Sequence, residues 1–239
     1  SKLAPGTRFA LEHGGAAPAI ICTDADLNIA VPALVKGGYY HAGQVCVSVQ
    51  RIFVDNKIKA PFLEAYTTEV KKLVTGNPRD QETEVGPLIL PREVDRVENW
   101  VNDAVQGGAI SAAGGTRIND YMFAPTVLVD PPRGAKVSTE EIFGPVTCVF
   151  GFNSPDDAVT LANNLPTAFH SAVFTQELNN ALNLSSSLRA SAVMVNDHTA
   201  FRTDWMPFAG QSVSGQGVGG IQYTMEEMLQ EKMTVFRTA

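Results

Sequence analysis

The chain has 239 residues, 44% of them hydrophobic and 18% charged, which is enough apolar side chain for a large α/β domain with a buried core. The net charge is −7, with no basic cluster and no apolar run near the roughly 18 residues of a membrane span, so neither nucleic acid nor a membrane has an obvious partner here. Three cysteines without Cys-x-x-Cys spacing argue against a disulfide framework and a structural zinc site, and a reducing, cytoplasmic compartment fits them best.

In chain order, residues 9–22 read as two short apolar strands broken by Gly14-Gly15 and Pro18. Asp24 or Asp26 can then cap a helix running through Ile29, Ala30, Leu34 and Val35 toward Tyr40. Cys46 falls in the connection that follows. Residues 51–54 are β-branched and aromatic, hence a strand, and residues 60–74 show helical spacing at Phe62, Leu63, Tyr66, Val70, Leu73 and Val74. Gly76-Asn77-Pro78 closes this unit. Residues 91–107 repeat the helical pattern through Val94, Val97, Val101 and Val105, and 109–112 is a short strand candidate.

Residues 125–129, 146–150, 171–174 and 192–195 are strands by composition, with helices near 156–163 and 178–188. The alternation predicts an α/β fold with a largely parallel sheet flanked by helices, spanning 1–230 without a linker. Residues 231–237 read as a strand beyond the main domain, which sets 231–239 apart as a C-terminal segment.

Among the polar residues, Cys22 and Cys148 lie in apolar strand runs, where a cysteine behaves as a small buried hydrophobe. Cys46 differs, because Gly43 and Gln44 precede it and Ser48 and Gln50 follow, so the backbone can turn and leave the thiol near a cleft. A thiol already partly ionised near neutral pH attacks carbonyls well, and the thioester it leaves needs a base such as Glu12 to activate water. Taken alone, a lone cysteine and a surface glutamate are more often structural. Glu140-Glu141 reads as solvated, yet the following Ile142-Phe143-Gly144-Pro145 is unusual for a plain surface turn.

The stretch 215–220 matches Gly-x-Gly-x-x-Gly, but too little chain follows it for a strand–helix–strand unit, so it is not a dinucleotide site. Residues 210–214 fail the Gly-x-Ser-x-Gly pattern because Ser214 takes the last place. The four histidines show no metal-ligand spacing, and no metal is expected. His41, near Cys46 in sequence, keeps a cysteine–histidine hydrolase open.

Leu11-Glu12-His13-Gly14-Gly15, Gly43-Gln44-Val45-Cys46 with Arg51 five residues on, Glu140-Glu141-Ile142-Phe143-Gly144-Pro145 and Pro207-Phe208-Ala209-Gly210 follow one another in this order. Over nearly the whole chain the pattern resembles the aldehyde dehydrogenase superfamily. The resemblance implies that fold's catalytic domain and oxidation of an aldehyde to a carboxylic acid with NAD or NADP. It makes Cys46 the nucleophile, passing through a thiohemiacetal and a thioester, and Glu12 the hydrolytic base. It places Glu141 on the nicotinamide ribose hydroxyls, Phe143 near the nicotinamide, and Gly14 with them on the cofactor side. Asn196 and Phe208 would line the substrate side.

Residues 196–207 look like the branch acting on small polar aldehydes such as lactaldehyde, phosphonoacetaldehyde or glyceraldehyde 3-phosphate, with Arg202 binding an anionic tail or, alternatively, pairing with Asp204. His13 and Ala209 depart from the family's usual leucine and glycine, and Val218-Gly219 from its arginine and glutamate. The resemblance further implies that a cofactor-binding half precedes the Glu12 motif, so this chain is expected to be the catalytic half, inactive alone. The tail would pair across subunits of a homo-oligomer, dimer or tetramer. Alternatives are a relative that passes the acyl group to coenzyme A, against which Glu12 stands, a cysteine hydrolase, and a non-catalytic assembly fragment.

Overall fold

The computed structural model describes residues 5–238. The glycine pair separates β1 (Leu11–Glu12) from β2 (Ala17–Ile21), and α1 (Leu27–Tyr39) begins at Asp26, whose carboxylate accepts the Asn28 N–H at 2.9 Å. Then come β3 (Val49–Asp55), α2 (Lys59–Val70) and α3 (Pro91–Gln106), the last opened by a proline that needs no donor in a first turn. β4 (Ile110–Ala113), a hairpin of β5 (Arg117–Asn119) and β6 (Met122–Phe123), and β7 (Thr126–Val129), which returns to pair with β4, lead to α4 (Lys136–Thr139) and β8 (Val146–Phe152). The chain continues through α5 (Pro155–Ala162), β9 (Thr167–Ala168), β10 (His170–Phe174), α6 (Leu178–Ser187) and β11 (Ala192–Val195). It closes with β12 (Gln211–Ser212), β13 (Gly215–Gln216) and α7 (Ile221–Glu227).

Seven strands form one sheet in the order β11-β10-β2-β3-β8-β7-β4, parallel throughout except for β4, which lies antiparallel to β7 at the edge. β2, β3 and β8 sit side by side in the middle, and their apolar runs are buried because helices cover both faces. α3 turns Val94, Val97, Val101 and Ala104 inward at helical spacing and leaves its charged residues on the other face. No helix among the described residues is long and apolar enough to cross a membrane.

Two expectations, at Pro18 and at the end of α2, are corrected. Pro18 does not interrupt its strand: it lies inside β2 at a register shift against β3, where a missing N–H is tolerated. Of the two aspartates that could cap α1, Asp26 does so, while Asp24 accepts hydrogen bonds from the Thr175 hydroxyl at 2.8 Å, the Gln176 N–H at 2.7 Å and the Glu177 N–H at 3.0 Å, closing the turn after β10. α2 stops at Val70, short of 74, because the chain peels away to bridge Thr75 with Val85. Within this chain no described strand lies alongside residues 231–237, and Met233 and Phe236 are each 87% exposed.

Candidate active site

Three connections converge at the amino ends of the central strands: residues 12–16 entering β2, 43–48 entering β3 and 140–145 entering β8. Ligands of open parallel sheets usually bind at the carboxyl ends, so this cleft sits at the opposite end from the usual one. It has a volume of about 410 Å³, and its wall includes Glu12, Gly14, Gln44, Cys46, Glu141 and Phe143.

The thiol loop starts from an unusual turn, with His41, Ala42 and Gly43 all in the left-handed region at φ of 52°, 56° and 69°. A side chain at Gly43 would collide with the Gly144 carbonyl, so the missing Cβ lets the thiol loop and the Glu141 loop touch. Gln44 pins the loop's outer side, donating to the Pro87 carbonyl at 3.2 Å and accepting the Ile89 N–H at 3.0 Å. Ser48 pins its exit by donating to the Gly37 carbonyl at 3.2 Å. Cys46 is half-buried between these anchors, while Cys22 and Cys148 are buried in the core as expected.

The Glu141 loop is fixed from β3. Gln50, buried beside Arg51, donates to the Val137 carbonyl at 3.1 Å and the Glu140 carbonyl at 2.7 Å, and accepts the Ile142 N–H at 2.9 Å. Arg96 adds a bond to the Ile142 carbonyl at 2.7 Å. Glu141 then reaches across to the Glu12 segment, where Oε1 accepts the Gly15 N–H at 3.2 Å. Gly14, at φ 71°, makes room: its absent Cβ leaves the space that Glu141 Oε1 fills. Gly14 therefore seats a carboxylate. Arg51 holds the same segment from below, donating to the Ala16 carbonyl at 2.9 Å, the Ala162 carbonyl at 3.0 Å and Asn164 Oδ1 at 3.2 Å.

Two carboxylates facing one thiol set its protonation. Burial pushes the Cys46 thiol up to about 12, and Glu12 and then Glu141 push the same way, because a nearby anion disfavours a thiolate. All three effects favour the protonated thiol over the thiolate. Burial likewise raises Glu141 to about 6, with the Gly15 N–H opposing and the Glu12 charge adding.

The remaining candidates lie elsewhere. Asn196 stands at the carboxyl end of β11, the far end of the sheet from Cys46, and outside the cleft wall. At φ 58° it donates to the Thr175 carbonyl at 2.9 Å and accepts the Thr175 N–H at 3.0 Å, so its amide is consumed in a turn. Arg202 makes no ion pair with Asp204; its guanidinium lies 4.5 Å above the Phe208 ring, which packs edge-on against Phe169 and His170. None of these residues is part of the cleft wall, although Glu12 and Arg202 both act on His170 electrostatically. His41 is exposed, packs on Tyr40 and does not line the cleft; the histidine in the cleft wall is His13, whose Nδ1 lies 3.2 Å from the Val213 carbonyl. Among the described residues no group of three or more His, Cys, Asp or Glu could hold a metal ion. Sequence reasoning missed Gln50, whose signal was a polar side chain at the start of a strand that runs on through Ile52, Phe53 and Val54, and Arg96, which had none.

Residues 2–234 match the model of the aldehyde dehydrogenase family. The lactaldehyde dehydrogenase of Methanococcus maripaludis strain C7 is 37% identical over 98% of this chain and 50% of its own length. The 3-sulfolactaldehyde dehydrogenase of Priestia aryabhattai is 35% identical over 95% of this chain and 48% of its own. Among solved structures, glyceraldehyde-3-phosphate dehydrogenase GapN from Methanocaldococcus jannaschii, complexed with NADP, superposes with a TM-score of 0.91 at 40% identity, covering 95% of this chain and 49% of that one. The chain thus spans about half the length of the curated relatives it matches.

Proposed function

The chain belongs to the aldehyde dehydrogenase family, and from that membership we propose that its cleft oxidises a small aldehyde to the carboxylic acid, with NAD or NADP and through a thioester on Cys46. The observation that carries this reading is the meeting of one half-buried thiol with two carboxylates in a single cleft. The Cys46 thiol loses its proton to solvent. Cys46 Sγ then attacks the aldehyde carbon, forming the C–S bond, and the Cys46 backbone N–H donates to the resulting oxyanion. The nicotinamide ring, when bound, supplies the hydride acceptor that turns the thiohemiacetal into the thioester. Glu12 accepts a proton from the water that attacks the thioester carbon. The C–S bond breaks, the acid leaves, and the sulfur is reprotonated.

The residues present fit the cofactor. Glu141 offers a half-buried carboxylate to ribose hydroxyls, Phe143 offers an apolar ring with 41% of its surface exposed, and Gly14 seats Glu141. The relatives named for lactaldehyde, 3-sulfolactaldehyde and glyceraldehyde 3-phosphate support a small polar or anionic aldehyde. For such a substrate Arg202, exposed and stacked on Phe208, is the cation we assign to the anionic tail. We assign the exposed tail at Met233, Val235 and Phe236 to contact with a second subunit in a homo-oligomer, dimer or tetramer. The test follows reduced cofactor and carboxylic acid together in a protein joining this chain to a nicotinamide-binding half. Equal amounts of both are expected. Acyl-coenzyme A as the only product, or acid formed without cofactor reduction, would refute the reading.

A further inference from the structure

Beneath the thiol loop lie two buried side chains that the reaction above leaves unused. Thr199 is fully buried and donates its hydroxyl to the carbonyl of Val47, the residue after the nucleophile. The Thr199 carbonyl in turn lies 2.8 Å from His170 Nδ1. A carbonyl can only accept, so Nδ1 carries the hydrogen and the neutral ring keeps its lone pair on Nε2. Nε2 is buried and has no hydrogen-bond partner among the described residues. The ring is packed on two sides, with Phe169 stacked at 5.0 Å and Phe208 edge-on at 5.3 Å. Burial holds the His170 pKa below its ordinary value, and Arg202 acts the same way, while the Thr199 carbonyl and Glu12 oppose them.

We propose that His170 and Thr199 are positioning residues for the Cys46 thiol: the imidazole N–H fixes the Thr199 peptide, and the Thr199 hydroxyl fixes the Val47 carbonyl and with it the depth of the sulfur in the cleft. The proposal rests on the reading of Cys46 as nucleophile and names what aims it. Gln44 and Ser48 hold the outer side and the exit of the same loop, so the Thr199 bond is its anchor toward β10. Two buried hydrogen bonds in series transmit position well, because each is costly to leave unmade.

The test is the pH dependence of Cys46 alkylation by iodoacetamide in the chain as it stands, resolved by peptide mass spectrometry beside urea unfolding. Thr199→Val removes the hydroxyl at nearly constant shape, and Thr199→Ser retains it. His170→Asn can present an amide N–H close to the place of Nδ1, and His170→Leu cannot. Release of the loop exposes a thiol whose pKa burial has raised. Thr199→Val and His170→Leu are therefore expected to lower the titration midpoint of Cys46 toward the ordinary thiol value of about 8.5 and to speed alkylation at pH 8 by about tenfold. Thr199→Ser and His170→Asn are expected to stay near wild type. Folded Thr199→Val with a wild-type midpoint would overturn the proposal, and so would failure of both disruptive variants to fold, which would assign the pair to stability. The titration reads the thiol's depth whether or not it becomes acylated, so it fails separately from the nucleophile assignment.

Discussion

The charge around Cys46 makes two predictions at the scale of the residue. Because Glu12 favours the protonated thiol, Glu12→Gln should lower the midpoint of Cys46 alkylation and speed labelling at pH 8, with Cys46 remaining the fastest of the three cysteines to react. A midpoint that stays put or rises would show that Glu12 does not face the thiol. Glu141 makes a prediction of opposite form. Its folded pKa, about 6, exceeds its ordinary value of 4.5, so the fold favours the protonated carboxyl, and stability falls as pH rises from about 4.5 to about 6 and levels off above. Glu141→Gln keeps an oxygen for the Gly15 N–H without the buried charge. It should raise the urea midpoint at pH 8 and leave it nearly unchanged at pH 4; an equal change at both would contradict the account. Cys46, Glu12 and Glu141 were legible in the sequence because motif spacing marks them. Their protonation was not, since it depends on which anions the fold brings beside a half-buried sulfur.

Whole elements are joined through backbone carbonyls. Arg51 leaves β3 sideways to bind the Ala16 carbonyl ahead of β2 and the Leu161 and Ala162 carbonyls at the end of α5, so the negative pole of that helix receives the buried cation in place of a carboxylate. Arg51→Met should cost about 3 kcal/mol in urea unfolding, because several buried acceptors lose their donor at once, and Arg51→Lys should recover little of it, having no fork to span them. A loss below about 1 kcal/mol would mean that water replaces the guanidinium. The strands and helices of the sheet were readable from apolar period and turn residues. Short pairings such as β1 with β13 and β9 with β12 were not, because two-residue strands carry no period and form only where distant loops meet. Asn196 shows the converse error, since its place in a motif suggested substrate while its left-handed backbone commits the amide to Thr175.

For the molecule as a whole, the unusual position of the cleft is the organising fact. With Glu12, Cys46 and Glu141 each just ahead of a central strand, the chemistry faces out from the amino end of the sheet. A nicotinamide-binding half, as we propose, would approach from that side. The sequence order of the motifs was legible, whereas the end of the sheet they occupy follows from strand order and parallel direction, which no single segment encodes. The central claim is the division of labour in the cleft, with Cys46 carrying the acyl group and Glu12 releasing it. It is tested most directly by rapid quench and peptide mass spectrometry of the Glu12→Gln variant in a protein joining this chain to a nicotinamide-binding half, mixed with aldehyde and oxidised cofactor. The account predicts about one equivalent of reduced cofactor per site, an acyl adduct on the Cys46 peptide that persists, and turnover slowed by about a hundredfold or more. An adduct on another residue, or full turnover without accumulation on Cys46, would contradict it.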